Sequence, residues 1–141
     1  MNLSYRLATM NDAALLARMN AQLIRDEGHS NAMSERQLAE RMSGWLAGEY
    51  QAQVFEIDGK PIGYALYRFE PEYVYLRQLF VQPGHRRRGV ARRALEWLRT
   101  NAWTTRPRVR IDVLIGNRPG IAFWHAVGFS DYCVTMEREV L

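Results

Sequence analysis

A chain of 141 residues that is 48% hydrophobic and 24% charged has the make-up of one globular domain, residues 1–141, with enough apolar content for a real core. It has one cysteine, no apolar run near the roughly 18 residues needed to span a bilayer, and no basic and apolar leader at its start. We therefore expect a soluble, cytoplasmic protein without a disulfide or metal site, its Cys133 buried. The net charge of +4 is unevenly placed: from Arg77 to Arg118 eleven arginines face only Glu96 and Asp112, a local +9 against −5 elsewhere. Such a field serves phosphate, in nucleic acid or in a small cofactor.

Leu3 to Thr9 reads as a first strand. Thr9 and Asp12 can cap a helix in which Leu15, Leu16, Met19 and Leu23 recur at helical spacing until Gly28 ends it. A second helix starts at Ser34, with Gln37 completing a capping box, and carries Leu38, Met42, Trp45 and Leu46 on one face before Gly48. The runs "QAQVFEI" and "KPIGYALYRF" flank Asp58-Gly59, a dipeptide suited to the tight turn between antiparallel strands. The run "EYVYLRQLFV" alternates along Tyr73, Tyr75, Arg77, Leu79 and Val81 as a strand in the sheet interior, until Pro83 and Gly84.

From Gly89 the pattern turns helical, with Val90, Ala94, Trp97 and Leu98 on one face. Arg108 to Ile115 reads as another strand, Asn117 and Pro119 open a last helix that Gly128 ends, and "SDYCVTMEREV" reads as a closing strand. Trp45, Trp97 and Trp103 read as packing residues of the helices. The predicted order is β-α-α-β-β-β-α-β-α-β, a mixed α/β sheet.

The segment "QPGHRRRGVARRA", Gln82 to Ala94, lies where a strand gives way to a helix. The first turn of a helix presents N–H groups with no intrahelical partner and the positive end of the peptide dipoles. Gly89 has no Cβ to block an approach to the main chain, and Arg86, Arg87 and Arg88 add guanidinium forks. Cations at a helix start are unfavourable unless an anion arrives, so the segment reads as a diphosphate cradle. The alternatives are a solvated basic run, or a nucleic-acid contact, for which the chain has no recognition motif.

These residues resemble the GNAT superfamily of acyl-CoA-dependent N-acetyltransferases. Arg86 to Ala91 is similar to its (R/Q)xxGx(G/A) signature, "LFVQPGH" to its preceding strand, and "NRPGIAFWHAVGF" (Asn117 to Phe129) to a later conserved block. The resemblance covers essentially the whole chain. It implies a GNAT-like fold whose fourth and fifth strands splay to admit acetyl-CoA. Main-chain groups of Leu79, Phe80 and Val81 would hold the pantetheine arm. Those of Arg86, Arg87, Arg88, Gly89, Val90 and Ala91 would hold the pyrophosphate, with Arg92 in reach of a phosphate and Asn117, Phe123 and Trp124 flanking the arm near the thiol.

The implied reaction is direct acetyl transfer to a primary amine, with the N–H of Leu79 as oxyanion donor. Where many members have a carboxylate base this chain has Tyr75, and where many have a tyrosine acid it has Trp124, whose indole cannot act as one. In this fold the segment after the first helix lines the acceptor site. Asp26, Glu27 and His29 are therefore expected to attract a cationic amine, with Glu27 or His29 relaying its proton; the bland reading of "DEGH" is an exposed helix end. Among Tyr64, Tyr67, Tyr73 and Tyr75, Tyr64 is a candidate wall of the pocket, although aromatics at alternating strand positions more often serve core or sheet packing. The expected partner is a small-molecule or peptide amine, with no nucleic acid and no membrane, and with a homodimer open. A CoA-binding regulatory module without robust catalysis is the alternative reading.

Overall fold

The computed structural model describes residues 2–28 and 31–141. Five strands form one sheet in the order β1-β2-β3-β4-β5. β1 (Leu3–Leu7), β2 (Tyr50–Ile57), β3 (Lys60–Phe69) and β4 (Tyr73–Val81) are antiparallel neighbours, and β5 (Arg108–Arg110) runs parallel to β4. The β2–β3 hairpin turns on Asp58 and Gly59, both at positive φ (52° and 78°), the pairing that matches strand twist across a two-residue loop.

Helices cover both faces. α1 (Ala13–Glu27) and α2 (Glu35–Ala47) lie on one, and α3 (Val90–Asn101) and α4 (Arg118–Ala126) on the other. Buried on both sides, β3 is apolar almost throughout: Tyr64 and Leu66 face α1 and α2, whereas Ala65 and Tyr67 face α3. Both expected caps form. The Thr9 N–H donates to Asp12 Oδ2 at 2.8 Å, and the Ser34 N–H to Gln37 Oε1 at 2.8 Å while the Gln37 N–H donates to Ser34 Oγ at 3.2 Å. Gly63 permits a close approach of β3 to β4, since a Cβ there would lie 2.2 Å from the Phe80 carbonyl oxygen.

Three expectations are corrected. The alternation predicted along β4 is broken: Leu66 pairs with Gln78 and Tyr67 with Leu76, which leaves Arg77 as a bulge. Tyr75, Arg77, Gln78 and Phe80 consequently face α1 and α2, and the later Leu79 and Val81 face α3. The strand read as Arg108 to Ile115 pairs only from Arg108 to Arg110, where it leaves β4. The closing strand read in "SDYCVTMEREV" does not form, because the diverging β5 offers no ladder to pair with; Tyr132, Val134 and Met136 stay exposed, as does Cys133. No described helix is long and apolar enough to cross a membrane.

Candidate active site

The divergence of β4 from β5, the last two strands in the sheet order, creates an opening along the β4 edge. Beyond Tyr75 the outer edge of β4 has no strand beside it among the described residues, so Leu79 and Val81 present main-chain groups to a cleft, whereas Phe80, expected to do so too, turns its carbonyl to Gly63 of β3. At the closed end of the cleft, beside the last β4–β5 pair, the Tyr75 hydroxyl donates to Asp112 Oδ2 at 2.8 Å. Burial, then this carboxylate, push the Tyr75 phenol up to about 12. That phenol holds its proton near neutrality and cannot serve as a base there.

The basic segment follows at the end of β4. Pro83–His85 form one 3-10 turn, and the chain enters α3 through Arg87 and Gly89, both in the left-handed region (φ 63° and 76°). For an arginine that conformation costs on the order of 1 kcal/mol, a strain of the kind concentrated at ligand sites. Successive N–H groups in alternating right- and left-handed backbone form anion-binding concavities. Here they run into the first turn of α3, where the N–H groups of Val90, Ala91 and Arg92 lack intrahelical acceptors. No atom lies within 4 Å of where a Cβ on Gly89 would stand, so the cradle is open at that point. The segment fits a diphosphate.

Its side chains divide their work unequally. Arg87 and Arg88 are exposed, and among the described residues neither forms an ion pair. Arg86 is committed within the protein: its Nε donates to the Val81 carbonyl at 2.7 Å, its Nη2 pairs with Asp26, and its N–H donates to the Pro83 carbonyl at 3.3 Å. Arg92 turns toward α4 and reaches the Ala126 carbonyl at 3.5 Å. Asn117 caps α4, accepting from the Gly120 N–H at 3.0 Å. Trp124 is buried in the α3-side core against Phe123 and Phe129.

On the opposite face, the end of α1 brings Asp26 and Glu27 toward the same opening; His29 lies outside the described residues. The Asp26 carboxylate is already held by Arg86 and by Gln22, whose Nε2 donates at 2.7 Å. Tyr64 is fully buried rather than lining a pocket, its hydroxyl donating to Gln78 Oε1 at 2.7 Å. Burial raises its phenol far above the ordinary value, and the Glu27 charge adds to that effect. Glu27 thus stands within electrostatic reach of that buried phenol.

Sequence reading missed four residues. Asp112 lay inside an expected strand and gave no sign of its bond to Tyr75. Trp45 looked like packing, yet it is the platform over which Arg41 and Arg77 stand at 4.4 and 4.7 Å. Arg77 faces that platform because of the bulge, which a regular alternation hides.

A family model described as the acetyltransferase (GNAT) family matches residues 17–129. Among solved structures, a possible acetyltransferase from Clostridium difficile 630 superposes with a TM-score of 0.84 at 16% identity, covering 100% of this chain and 99% of that one. A predicted acetyltransferase of Clostridium acetobutylicum, crystallised with acetyl-CoA, gives 0.75 at 21% identity over 98% and 96% of the two chains. The aminoglycoside N-acetyltransferase AAC(6')-Iy in complex with CoA gives 0.75 at 19% identity over 99% and 96%. No curated protein matches the sequence.

Proposed function

The chain belongs to the GNAT acetyltransferase family, and from that premise we propose that it transfers an acetyl group from acetyl-CoA to a primary amine. One observation carries the reading: the free edge of β4 leads directly into a basic, left-handed turn at the start of α3. Acetyl-CoA supplies the acyl group and the thiolate leaving group. The outward main-chain groups of Leu79 and the Val81 N–H align its arm, Phe80 being turned to β3, and those from Arg87 to Arg92, assisted by the Arg87 and Arg88 guanidiniums, hold its diphosphate. The Leu79 N–H, two residues past the bulge, is the donor for the oxygen of the attacked carbonyl.

The acceptor enters from the α1 and α2 side. Its neutral nitrogen forms the C–N bond as the C–S bond breaks, and the electron pair of that bond leaves on sulfur. The proton released by nitrogen passes through water to Glu27. The thiolate takes its proton from water, since Trp124 offers no acid and the low basicity of a thiolate lets it leave unassisted. Asp26 acts by position, holding Arg86 and so the turn above it.

The test is calorimetric titration of acetyl-CoA. Micromolar binding is expected in the wild type and its loss in Gly89→Glu, which puts a carboxylate and a strained backbone into the cradle; no binding to the wild type overturns the reading. A CoA-binding module without turnover is the second reading, favoured by Trp124 in place of an acid. Tight binding with no thiol release across a broad panel of amines decides for it.

A further inference from the structure

The acceptor side carries positive charge that the acetyl-transfer reading leaves unexplained. Arg41, on α2, and Arg77, at the β4 bulge, hold their guanidiniums over the same indole, Trp45. Neither is in an ion pair among the described residues. Arg41 Nη2 donates to a neutral amide oxygen, Asn20 Oδ1, at 2.9 Å, and its Nε is buried with no partner. Arg77 is exposed and reaches the Tyr50 hydroxyl at 3.4 Å.

A third guanidinium, Arg68, stands over Tyr50 and Tyr75 at 5.3 and 4.7 Å, but Glu70 pairs with it at 2.6 Å. The Tyr50 hydroxyl accepts from Arg68 at 2.6 Å as well as from Arg77, which leaves its own proton free to donate.

Packing on an aromatic surface accounts for one stacked arginine. It does not account for two like charges over one ring, one of them with a buried donor unmet. Burial and the Arg77 charge both disfavour the charged form of Arg41, so the pair is unfavourable until an anion joins it. Arg77 lies two residues before Leu79, about 7 Å along the strand. A ligand bound at both points therefore needs only a few bonds between its acid and its reacting nitrogen.

We propose that Arg41 and Arg77, with the Tyr50 hydroxyl, form a subsite for a carboxylate or phosphate on the acceptor itself, so that the acceptor is a small amine bearing its own acidic group rather than a polycation. The proposal rests on the acetyl-transfer reading for its orientation. Its first test does not depend on turnover. Inorganic phosphate and acetate are titrated calorimetrically into wild type, Arg77→Gln and Arg41→Gln at constant ionic strength, with CoA present to fill the diphosphate turn. Saturable binding of one anion or both is expected in the wild type, weakened about tenfold or more in each variant. The anion that binds identifies the acid.

Equal binding in wild type and variants, or none in any, overturns the subsite. If CoA itself fails to bind, the acetyl-transfer reading fails separately, and the same comparison in the free protein still decides. Arg77, exposed on the bulge, keeps the test sound should Arg41→Gln fold poorly. The second test measures CoA release with matched amines: 4-aminobutanoate, 4-aminobutanol and putrescine, then phosphoethanolamine and ethanolamine. The acidic member is expected to lead in kcat/KM, and Arg77→Gln to abolish the lead through KM with CoA affinity intact. A lead for putrescine overturns the proposal.

Discussion

Tyr75 occupies the strand position at which a base was expected, and its surroundings decide against that role. Its folded-state pKa is raised from 10.0 to about 12, by burial first and by Asp112 second. Between those values the folded protein keeps a proton that the unfolded chain has lost. The stability contributed by the neutral phenol is therefore complete below pH 10 and is lost as pH rises toward 12. In Tyr75→Phe this part of the alkaline destabilisation should vanish, seen as a shallower fall of melting temperature across that window. The same variant should keep the wild-type pH profile of kcat/KM from about pH 6 to 9, because no titration of Tyr75 occurs there. Loss of an ionisation in that profile would return the base to Tyr75.

Two elements distant in sequence meet through Arg86. Its guanidinium joins the Val81 carbonyl at the end of β4 to Asp26 at the end of α1, and stands over the Phe80 ring at 5.5 Å. Arg86→Ala should loosen the basic turn and the end of α1 together, the segments proposed to hold donor and acceptor. Acetyl-CoA affinity and amine KM are each expected to worsen by about three- to tenfold, roughly the worth of one charge-assisted hydrogen bond. Calorimetry and steady-state kinetics on one preparation check this, and an effect confined to either ligand would show the two elements to be uncoupled.

Local signals made most elements legible. The Asp58-Gly59 turn, both capping boxes and the glycine opening α3 carry their geometry in neighbouring residues. The bulge at Arg77 and the early end of β5 depend on which strand lies alongside, and nothing within three or four residues encodes that. The same distinction holds at the site. The basic turn between β4 and α3 is local and readable, whereas the Tyr75 bond to Asp112 and the Arg41, Arg77 and Trp45 stack join elements that only the fold brings together.

At the scale of the whole molecule the charge is sorted along the chain. The span from Arg77 to Arg118 carries +9 and the remainder −5, and the fold places the basic turn at the mouth of the cleft. A ligand rich in phosphate is drawn to that mouth from beyond contact distance, and salt screens the attraction with a Debye length of about 10 Å at 0.1 M. Acetyl-CoA affinity should therefore fall roughly tenfold between 0.05 and 0.5 M salt. The loss should appear mainly in the association rate, because the main-chain bonds of the cradle form at short range and are screened less. Replacing Arg87 and Arg88 together by glutamine should flatten that dependence and leave the high-salt affinity nearly unchanged, if the main chain holds the diphosphate and these guanidiniums chiefly recruit it. Stopped-flow binding at several salt concentrations separates the two contributions. A double variant that loses affinity equally at all salt concentrations would move the holding role from the backbone to the side chains.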